Sequence, residues 1–198
     1  HRAGSRSMPK LGMEPIRKDA LVRATIAEIG RAGSLDVTVA QIARRAGMSS
    51  ALAHHYFGSK EQIFLAAMRH VMTLYSAEVR GALAVAHGPR ARKWGMIGAR
   101  FTTTSFRRDS VGAWLNFWVL AQSLPDARRL LLIYQRRLGS NLRHALRPLV
   151  GARAGSVADG VAAMIDGVYI REALGSDVPS GPLAAALVTA YLERELAA

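Results

Sequence analysis

A short stretch between residues 49 and 60 concentrates side chains that can contact nucleic acid. It reads SSALAHHYFGSK, so serine hydroxyls, two imidazoles, a phenol and an ammonium group follow one another closely. On an element this short these groups cannot all be buried. Small hydrogen-bonding groups of this kind suit base edges and phosphate oxygens in a major groove. The stretch therefore indicates a DNA-recognition element, with a polar helical hairpin inside a bundle as the alternative.

A second set of residues could surround a positively charged small molecule. Trp114 and Trp118 stand four residues apart with Phe117 between them, so a helix would place the three rings on one face. Asp166 and Tyr169 would share a face of a later helix. Aromatic ring faces attract a quaternary ammonium by about 0.5–2 kcal/mol per contact, and a carboxylate would add negative charge. The alternative is that the rings are core residues and that the carboxylate pairs with an arginine.

No pattern in the chain predicts catalysis or a metal site. Neighbouring positions of a helix point in different directions, so His54 and His55 cannot chelate one ion well, and no HExxH motif accompanies them. The chain has no cysteine, which excludes a thiolate nucleophile and a disulfide scaffold. Neither a nucleophile with an adjacent base nor a glycine-rich phosphate loop is found. We therefore expect that the protein is not an enzyme and that it binds no metal and no cofactor.

Composition predicts a basic globular protein. The 198 residues are 50% hydrophobic and carry a formal net charge of +13, which is unlike a disordered tail. A positive balance favours nucleic acid as a partner, before membrane. The cations are divided almost evenly between the two halves of the chain, so charge does not locate the binding surface. Because no secretion signal and no run of about 18 apolar residues is found, we expect a cytoplasmic protein without membrane contact.

Hydrophobic residues recur with a helical period along nearly the whole chain, which predicts an all-α fold of about nine helices. Glycine, proline and capping residues separate the segments. Two short helices are expected between Thr38 and Phe57. The other expected helices cover about 15–32, 60–83, 90–107, 111–123, 126–147, 157–174 and 181–196.

The two short helices, joined through Gly47, form a helix-turn-helix pattern. Thr38 and Gln41 make a capping box for the first of them, in which each side chain bonds the other residue's backbone N–H. Ser49 is the N-cap of the second. Lys60 begins the following long helix, where free N–H groups and the positive dipole end favour a phosphate. These elements would position the recognition stretch against DNA.

The run TVAQIARRAGMSSALAHHYFGSK, residues 38–60, closely resembles the DNA-binding domain of the TetR family of regulators. Ala43, Gly47, Ser49, Tyr56 and Lys60 stand at the spacing of that family. The resemblance implies a three-helix DNA-binding domain, followed by a helical domain that binds a small effector and forms a homodimer. The candidate DNA-contacting residues are Arg17, Lys18, Thr38, Gln41, Arg44, Ser49, Ser50, His54, His55, Tyr56 and Lys60.

Further segments resemble the choline-responsive repressors of glycine betaine synthesis genes within this family. The segments are MPKLGMEPIR at 8–17, AWLNFW at 113–118, RRLGSNL at 136–142 and AAMIDGVYIREAL at 162–174. The resemblance implies a choline-like effector in the C-terminal bundle. The candidate effector contacts are Trp114, Phe117, Trp118, Asp166 and Tyr169.

We expect the chain to have three parts. His1–Ser7 is interpreted as the remnant of an expression tag, residues 8–60 as the helix-turn-helix domain, and residues 61–198 as the effector-binding and dimerisation domain. The last helix carries an apolar face that suits a seam with a second copy, although the same face could cover the protomer's own core. This face consists of Ala184, Leu187, Val188 and Tyr191.

These observations predict a dimeric repressor that binds a double-stranded DNA operator and is released by a choline-like effector, so that it controls betaine synthesis genes. Two alternatives stay open. The first is a regulator of efflux or of another pathway with a different effector. The second is an effector-free architectural DNA-binding protein whose aromatic residues are core.

Overall fold

The computed structural model describes residues 12–102, 106–175 and 178–197, and the expected tag remnant His1–Ser7 lies outside these ranges. Within them the chain forms nine α-helices and one short 3-10 helix at Gly151–Arg153. The all-α prediction is confirmed for this part of the chain. The helices are α1 (Met13–Ala32), α2 (Val39–Arg45), α3 (Ser50–Phe57), α4 (Lys60–Val85), α5 (Gly88–Gly98), α6 (Arg108–Ser123), α7 (Pro125–Val150), α8 (Ala154–Leu174) and α9 (Gly181–Ala197).

Local capping contacts decide where α2 and α3 begin. Thr38 Oγ1 accepts a hydrogen bond from the Gln41 N–H at 3.1 Å, and Gln41 Oε1 accepts one from the Thr38 N–H at 2.7 Å, so the predicted capping box is present. Ser49 Oγ accepts from the Leu52 N–H at 3.2 Å. Gly47, between the two helices, has a φ of 71°, a left-handed conformation that glycine adopts at little cost. The helix-turn-helix thus follows from its own short sequence.

A hydrophobic core holds α1, α2 and α3 against the first turns of α4. Its members are fully buried, and burying a side chain of this size stabilises a fold by about 1.5–3 kcal/mol. They include Leu21, Ile29, Ile42, Ala53, Ile63 and Leu65. Because α4 belongs to this core and continues into the C-terminal bundle, the recognition helix is tied to the larger part of the protein.

The fifth helix is shorter than predicted, and this boundary was wrong. We expected it to run to residue 107, but it ends at Gly98. The Arg100 and Phe101 N–H groups bond back by three residues, to Ile97 and Gly98, so the helix tightens into a turn and stops. Phe101 then packs on Tyr169 of α8, with ring centroids 5.8 Å apart. Packing against a distant helix, which no local pattern reveals, ends α5.

The seventh helix is longer than predicted. We expected it to end near Arg147, before Pro148, but α7 continues through the proline to Val150. A proline lacks the N–H that would bond one turn back, and its ring crowds the preceding turn. Here it stands in the last turn, so few helical bonds depend on it.

The face predicted for dimerisation on α9 is divided between the core and the surface. Ala184 and Val188 are buried within the protomer, whereas Tyr191 is half-buried and Leu187 is 52% exposed. Part of the face therefore covers the chain's own core, and part is open to a second copy. In the part of the chain that is described, no helix combines the length and the low polarity that a membrane crossing requires.

Candidate functional site

The predicted recognition residues lie on the surface of α3 and the turn before it. Ser49, His54 and His55 are exposed, and Ser50 and Tyr56 are half-buried. Ala53, on the opposite side of α3, is fully buried, so one face of this short helix packs inward and the other meets solvent. A polar outer face on a helix that is held by two neighbours is the geometry of a helix presented to a major groove.

Several of these side chains are also used within the protein. The hydroxyl oxygens of Thr38 and Ser49 and the side-chain oxygen of Gln41 accept the capping hydrogen bonds, and the Thr38 hydroxyl also donates to Gln41 Oε1 at 3.2 Å. His54 Nδ1 lies 3.1 Å from the Gly58 carbonyl oxygen. When Nδ1 carries the proton it donates to that carbonyl, and Nε2 is left as an acceptor that faces outward. Local bonding therefore sets which atoms are available.

The first helix brings two cations beside the recognition helix. Arg17 Nη1 lies 3.5 Å from Tyr56 Oη, and Lys18 Nζ lies 5.9 Å from the centre of the same ring. Lys18 also pairs with Glu14 at 2.7 Å. The structure thus brings the two cations Arg17 and Lys18 together with the phenol of Tyr56. This group suits a contact with a DNA phosphate.

The start of α4 supplies a further cation. Of the two arginines on α2, one is used in an ion pair within the protein. Lys60 is the first residue of α4, and its Nζ lies 5.4 Å from the centre of the Phe64 ring. Arg44 is exposed. Arg45, which we did not select, forms an ion pair with the buried carboxylate of Glu28. Burial would raise the pKa of that carboxyl, but hydrogen bonds from Arg31 and from Arg45 hold it below its ordinary value.

A cavity of about 510 Å³ opens between α4, α7 and α8, beside the chain that follows α5. A space of this size can hold a small organic molecule. Its walls combine aliphatic side chains with aromatic and polar ones. The aromatic and polar lining residues are Tyr75, Ser76, Arg80, Arg100, Tyr134, Arg137 and Asn141.

An aromatic cluster begins at the cavity lining with Tyr75 and Tyr134 and continues into the core. Tyr75 meets Trp114 edge-on, with ring centroids 5.7 Å apart, and meets Tyr169 at 6.0 Å. Trp114 in turn meets Tyr134 at 4.8 Å. All four rings are buried. Two rings of the predicted cage, Trp114 and Tyr169, are therefore brought together, through a tyrosine that sequence reasoning did not select.

The other three predicted effector residues differ in burial. Phe117 is fully buried, and Trp118 and Asp166 are half-buried. None of the five predicted residues is among the described residues that line the cavity, but Trp114 and Tyr169 pack against its lining residue Tyr75. Among the described residues, no three His, Asp or Glu side chains are grouped so that they could hold a metal ion.

Unpaired buried polar atoms are concentrated at this place. Buried donors and acceptors without a partner cost about 1–3 kcal/mol each and are few in folded proteins. In the described part of the chain, five such side-chain atoms are found, and three belong to predicted effector residues. They are Tyr75 Oη, Arg100 Nε, Trp114 Nε1, Trp118 Nε1 and Asp166 Oδ1. Tyr75 and Arg100 line the cavity, Trp114 packs on Tyr75 and Asp166 interacts with Arg100, so four of the five residues are grouped at a place that a ligand could complete.

Asp166 and Arg100 are charged groups that lie partly or wholly out of solvent at this site, in addition to the lining arginines Arg80 and Arg137. Burial raises the pKa of Asp166 from 3.8 to about 6, and the Arg100 guanidinium opposes that rise. Burial also raises the pKa of Tyr134 to about 12, against the effect of the same guanidinium. At neutral pH the Asp166 carboxyl is therefore mostly ionised, whereas the Tyr134 phenol is neutral.

Sequence reasoning missed Tyr75, Tyr134 and Arg100. A signal existed for the tyrosines, because Tyr75 continues the buried positions of α4 at a four-residue spacing from Val71 and Tyr134 does the same with Leu138 on α7. No such signal existed for Arg100. It lies in the stretch where we expected a helix, and nothing in its neighbours indicates that it turns inward.

Two family models match the chain, one in each half. The model of bacterial regulatory proteins of the tetR family matches residues 21–67. The model of the C-terminal domain of BetI-type transcriptional repressors matches residues 89–197. The predicted boundary between residues 60 and 61 is not tested by these matches and stays a prediction.

Curated relatives agree with both matches. The HTH-type transcriptional regulator BetI of Brucella melitensis biotype 2 is 50% identical over 190 residues, which cover 96% of each chain. The BetI regulator of Agrobacterium fabrum is 46% identical over 190 residues, or 96% of this chain and 92% of that one. These relatives are named as regulators, in agreement with the expectation that this chain is not an enzyme.

Solved structures share the fold. A TetR transcription regulator from Haloarcula marismortui superposes with a TM-score of 0.80 at 17% identity, covering 91% of this chain and 98% of that one. A regulator from Saccharomonospora viridis, solved in complex with choline, superposes with a TM-score of 0.76 at 23% identity, covering 90% and 96%. Regulators of this family bind DNA operators and small effectors as dimers. The chain therefore belongs to the TetR family of transcriptional repressors, with a C-terminal domain of the BetI type.

Proposed function

We propose that choline, or a similar quaternary ammonium compound, releases this repressor from its operator, and that the genes it controls serve glycine betaine synthesis. The observation that carries the proposal is the group of unpaired polar atoms and aromatic rings beside one cavity. The BetI name of its relatives, and the choline held by the Saccharomonospora viridis regulator, support this effector over others.

For the DNA side we propose two kinds of contact. Ser50, His54 and His55, on the outer face of α3, would reach base edges in the major groove. Phosphate contacts would come from the cations around Tyr56 and at the start of α4. Further contacts along the same DNA strand would come from the capping residues Thr38, Gln41 and Ser49 and from the exposed Arg44. In a two-fold dimer, two such surfaces would meet a pseudo-palindromic operator.

For the effector side we propose that the cation lies among the rings at the cavity. Ring faces stabilise a desolvated ammonium by about 0.5–2 kcal/mol per contact. Asp166 is a carboxylate beside the cluster with an unpaired oxygen, and it would supply the negative charge that such a ligand requires. Trp114, Phe117, Trp118 and Tyr169 would form or support the wall that encloses the ligand.

Two helices connect the cavity with the DNA-binding surface. Lys60 and Tyr75 both lie on α4, and the rise of a helix separates their backbones by about 22 Å. Trp114 lies on α6, whose first turns pack directly against α1. A ligand that prefers one arrangement of these helices lowers the affinity for DNA by the difference in its own affinities, typically about 1–3 kcal/mol. We propose that α4 and α6 transmit the release.

A footprint with and without the effector tests the proposal. Genomic fragments that bind the protein are selected and digested with nuclease in its presence, and the bases that the protein protects are read. The same footprint is then repeated with choline chloride. Because added salt also weakens DNA binding, sodium chloride at the same concentration is the control. We expect a symmetric footprint near betaine synthesis genes that choline removes and sodium chloride does not. A footprint that persists at saturating choline would reject choline as the effector.

A further inference from the structure

The cavity already contains a cation of the protein's own. Arg100, in the turn after α5, is only 4% exposed. Its guanidinium carbon lies 5.3 Å from the centre of the Tyr75 ring and 4.8 Å from the centre of the Tyr134 ring. It also donates a hydrogen bond to Tyr134 Oη. An arginine is almost never buried without partners, and here two ring faces are among its partners.

The surroundings of this guanidinium are those of a quaternary ammonium site. Burial raises the pKa of the half-buried Asp166 and the Arg100 guanidinium opposes that rise, so the two charges interact. The Nε atom of Arg100 and an oxygen of Asp166 lack hydrogen-bond partners among the described residues. A guanidinium has five N–H donors, and a buried donor without a partner costs free energy. The interactions that hold the Arg100 guanidinium in this position are therefore incomplete.

The backbone of Arg100 is anchored separately from its side chain. Tyr169 Oη donates to the Arg100 carbonyl oxygen at 2.5 Å. The next residue, Phe101, packs against the rings of Phe106 and Tyr169. The side chain can therefore leave the two tyrosine rings while the backbone keeps its place. The exit leads into the cavity, which Arg100 itself lines.

Two cations cannot share one pair of ring faces, because they repel each other strongly in a site that excludes water. We propose that Arg100 fills the cation-binding position of the cavity in the absence of effector, and that a free cation binds by taking this position from its guanidinium. The inference rests on the proposed function in that it takes the effector to be a small organic cation. It goes further because it makes Arg100 an internal competitor that lowers the affinity for the effector.

The exchange would also have a mechanical consequence. Through its side chain Arg100 holds the end of α5 to Tyr134 of α7, and through its backbone it holds the same place to Tyr169 of α8. A free cation on the rings replaces the charge but not the covalent connection. Binding therefore releases the tie between α5 and α7 and leaves the tie to α8. This difference between two states is what a ligand needs in order to shift their populations.

A choline titration of four proteins tests the competition. Arg100→Met removes the charge and keeps a chain of similar length, Arg100→Lys keeps a charge, and Arg136→Met removes a charge from an exposed position on α7 that does not line the cavity. We expect Arg100→Met to bind choline about tenfold more tightly than the wild type, which corresponds to about 1.4 kcal/mol. Arg100→Lys and Arg136→Met should change the dissociation constant by less than about threefold. Equal or weaker binding by Arg100→Met would overturn the proposal.

A second measurement does not depend on choline. Arg100→Ala should leave a vacant cation position, which methylguanidinium chloride can fill from solution. We expect millimolar methylguanidinium to raise the melting temperature of Arg100→Ala above its value in equimolar sodium chloride, and to leave the wild type unchanged. No difference between the two salts would overturn the proposal. Rescue by methylguanidinium, with no choline binding by any variant, would keep the cation position and reject only choline as the effector.

Discussion

Gly30 of α1 and Asp109 of α6 lie so close that no side chain fits between them. A Cβ atom built on Gly30 would stand 2.4 Å from the Asp109 carbonyl oxygen and 2.5 Å from its Cα. Backbone atoms cannot turn aside as the end of a flexible side chain can. The helix that carries Arg17 and the helix that carries Trp114 are therefore in direct backbone contact, so a shift of one must move the other.

Replacing Gly30 by Ala should force α1 and α6 apart. We expect the free energy of unfolding to fall by about 1–3 kcal/mol, the usual cost of an overpacked contact, and the release of DNA by choline to be altered. Urea denaturation and DNA-binding titrations measure the two effects. Gly81→Ala is the matched control, because Gly81 lies inside α4 with nothing within 4 Å of the added Cβ. It should stabilise by up to about 1 kcal/mol. A Gly30→Ala protein as stable as the wild type would contradict the packing described above.

Replacing Trp118 by Ala should separate the response to effector from DNA binding. Its Nε1 is buried without a hydrogen-bond partner among the described residues, and its helix carries no predicted DNA contact. We expect Trp118→Ala to bind the operator normally and to lose release by choline, measured by footprinting with increasing choline. Trp118→Phe, which keeps a ring in place, should retain part of the response. Normal release of Trp118→Ala would remove this residue from the effector site.

Replacing Lys60 by Ala should weaken binding to all DNA sequences alike. One phosphate contact contributes about one unit to the slope of log affinity against log salt concentration, so we expect this slope to decrease by about 1. Arg136→Ala removes the same charge from an exposed position on α7 and should leave the slope unchanged. If the slopes of both variants equal that of the wild type, Lys60 does not contact phosphate.

Choline binding should depend on pH through Asp166. Its pKa is raised to about 6 because of burial, with Arg100 acting in the opposite direction. The carboxylate is mostly protonated at pH 5 and ionised at pH 7.5, so we expect weaker choline binding at the lower pH, with a midpoint near 6. Asp166→Asn should bind weakly at both values. Burial lowers the pKa of the His70 imidazole below its ordinary value, but this residue is present in both proteins. A pH dependence that survives in Asp166→Asn would therefore assign the effect elsewhere.

The same carboxyl makes a prediction for stability. Burial raises the pKa of Asp166 in the folded state to about 6, above its ordinary value of 3.8, so between about pH 4 and pH 6 the folded state binds more protons than the unfolded state. The contribution of this group to the free energy of unfolding is therefore greatest below pH 4 and declines as the pH rises to 6. Subtracting the Asp166→Asn profile from that of the wild type, both by urea denaturation, isolates it. A flat difference across this range would mean that the folded pKa is not raised.

Local signals were enough to predict the DNA-binding half. Thr38, Gln41 and Ser49 cap helices through contacts within three residues, and Gly47 turns the chain between those helices, so their roles can be recognised without knowing what lies elsewhere. The family resemblance rests on the same run. The periodicity of hydrophobic residues likewise predicted the all-α fold, because each helix must turn one apolar face to the core.

The cavity was decided by the tertiary structure alone. Tyr75, Arg100 and Tyr134 come from three separate parts of the chain, and their meeting depends on how α4, α5 and α7 pack. Tertiary packing also decides where α5 ends, because Phe101 packs on Tyr169 where the sequence predicts a continuing helix. The sequence thus determined the kind of protein, because that information is local or periodic. The position of the Arg100 guanidinium over the Tyr75 and Tyr134 rings depends on long-range packing, which no spacing along the chain encodes.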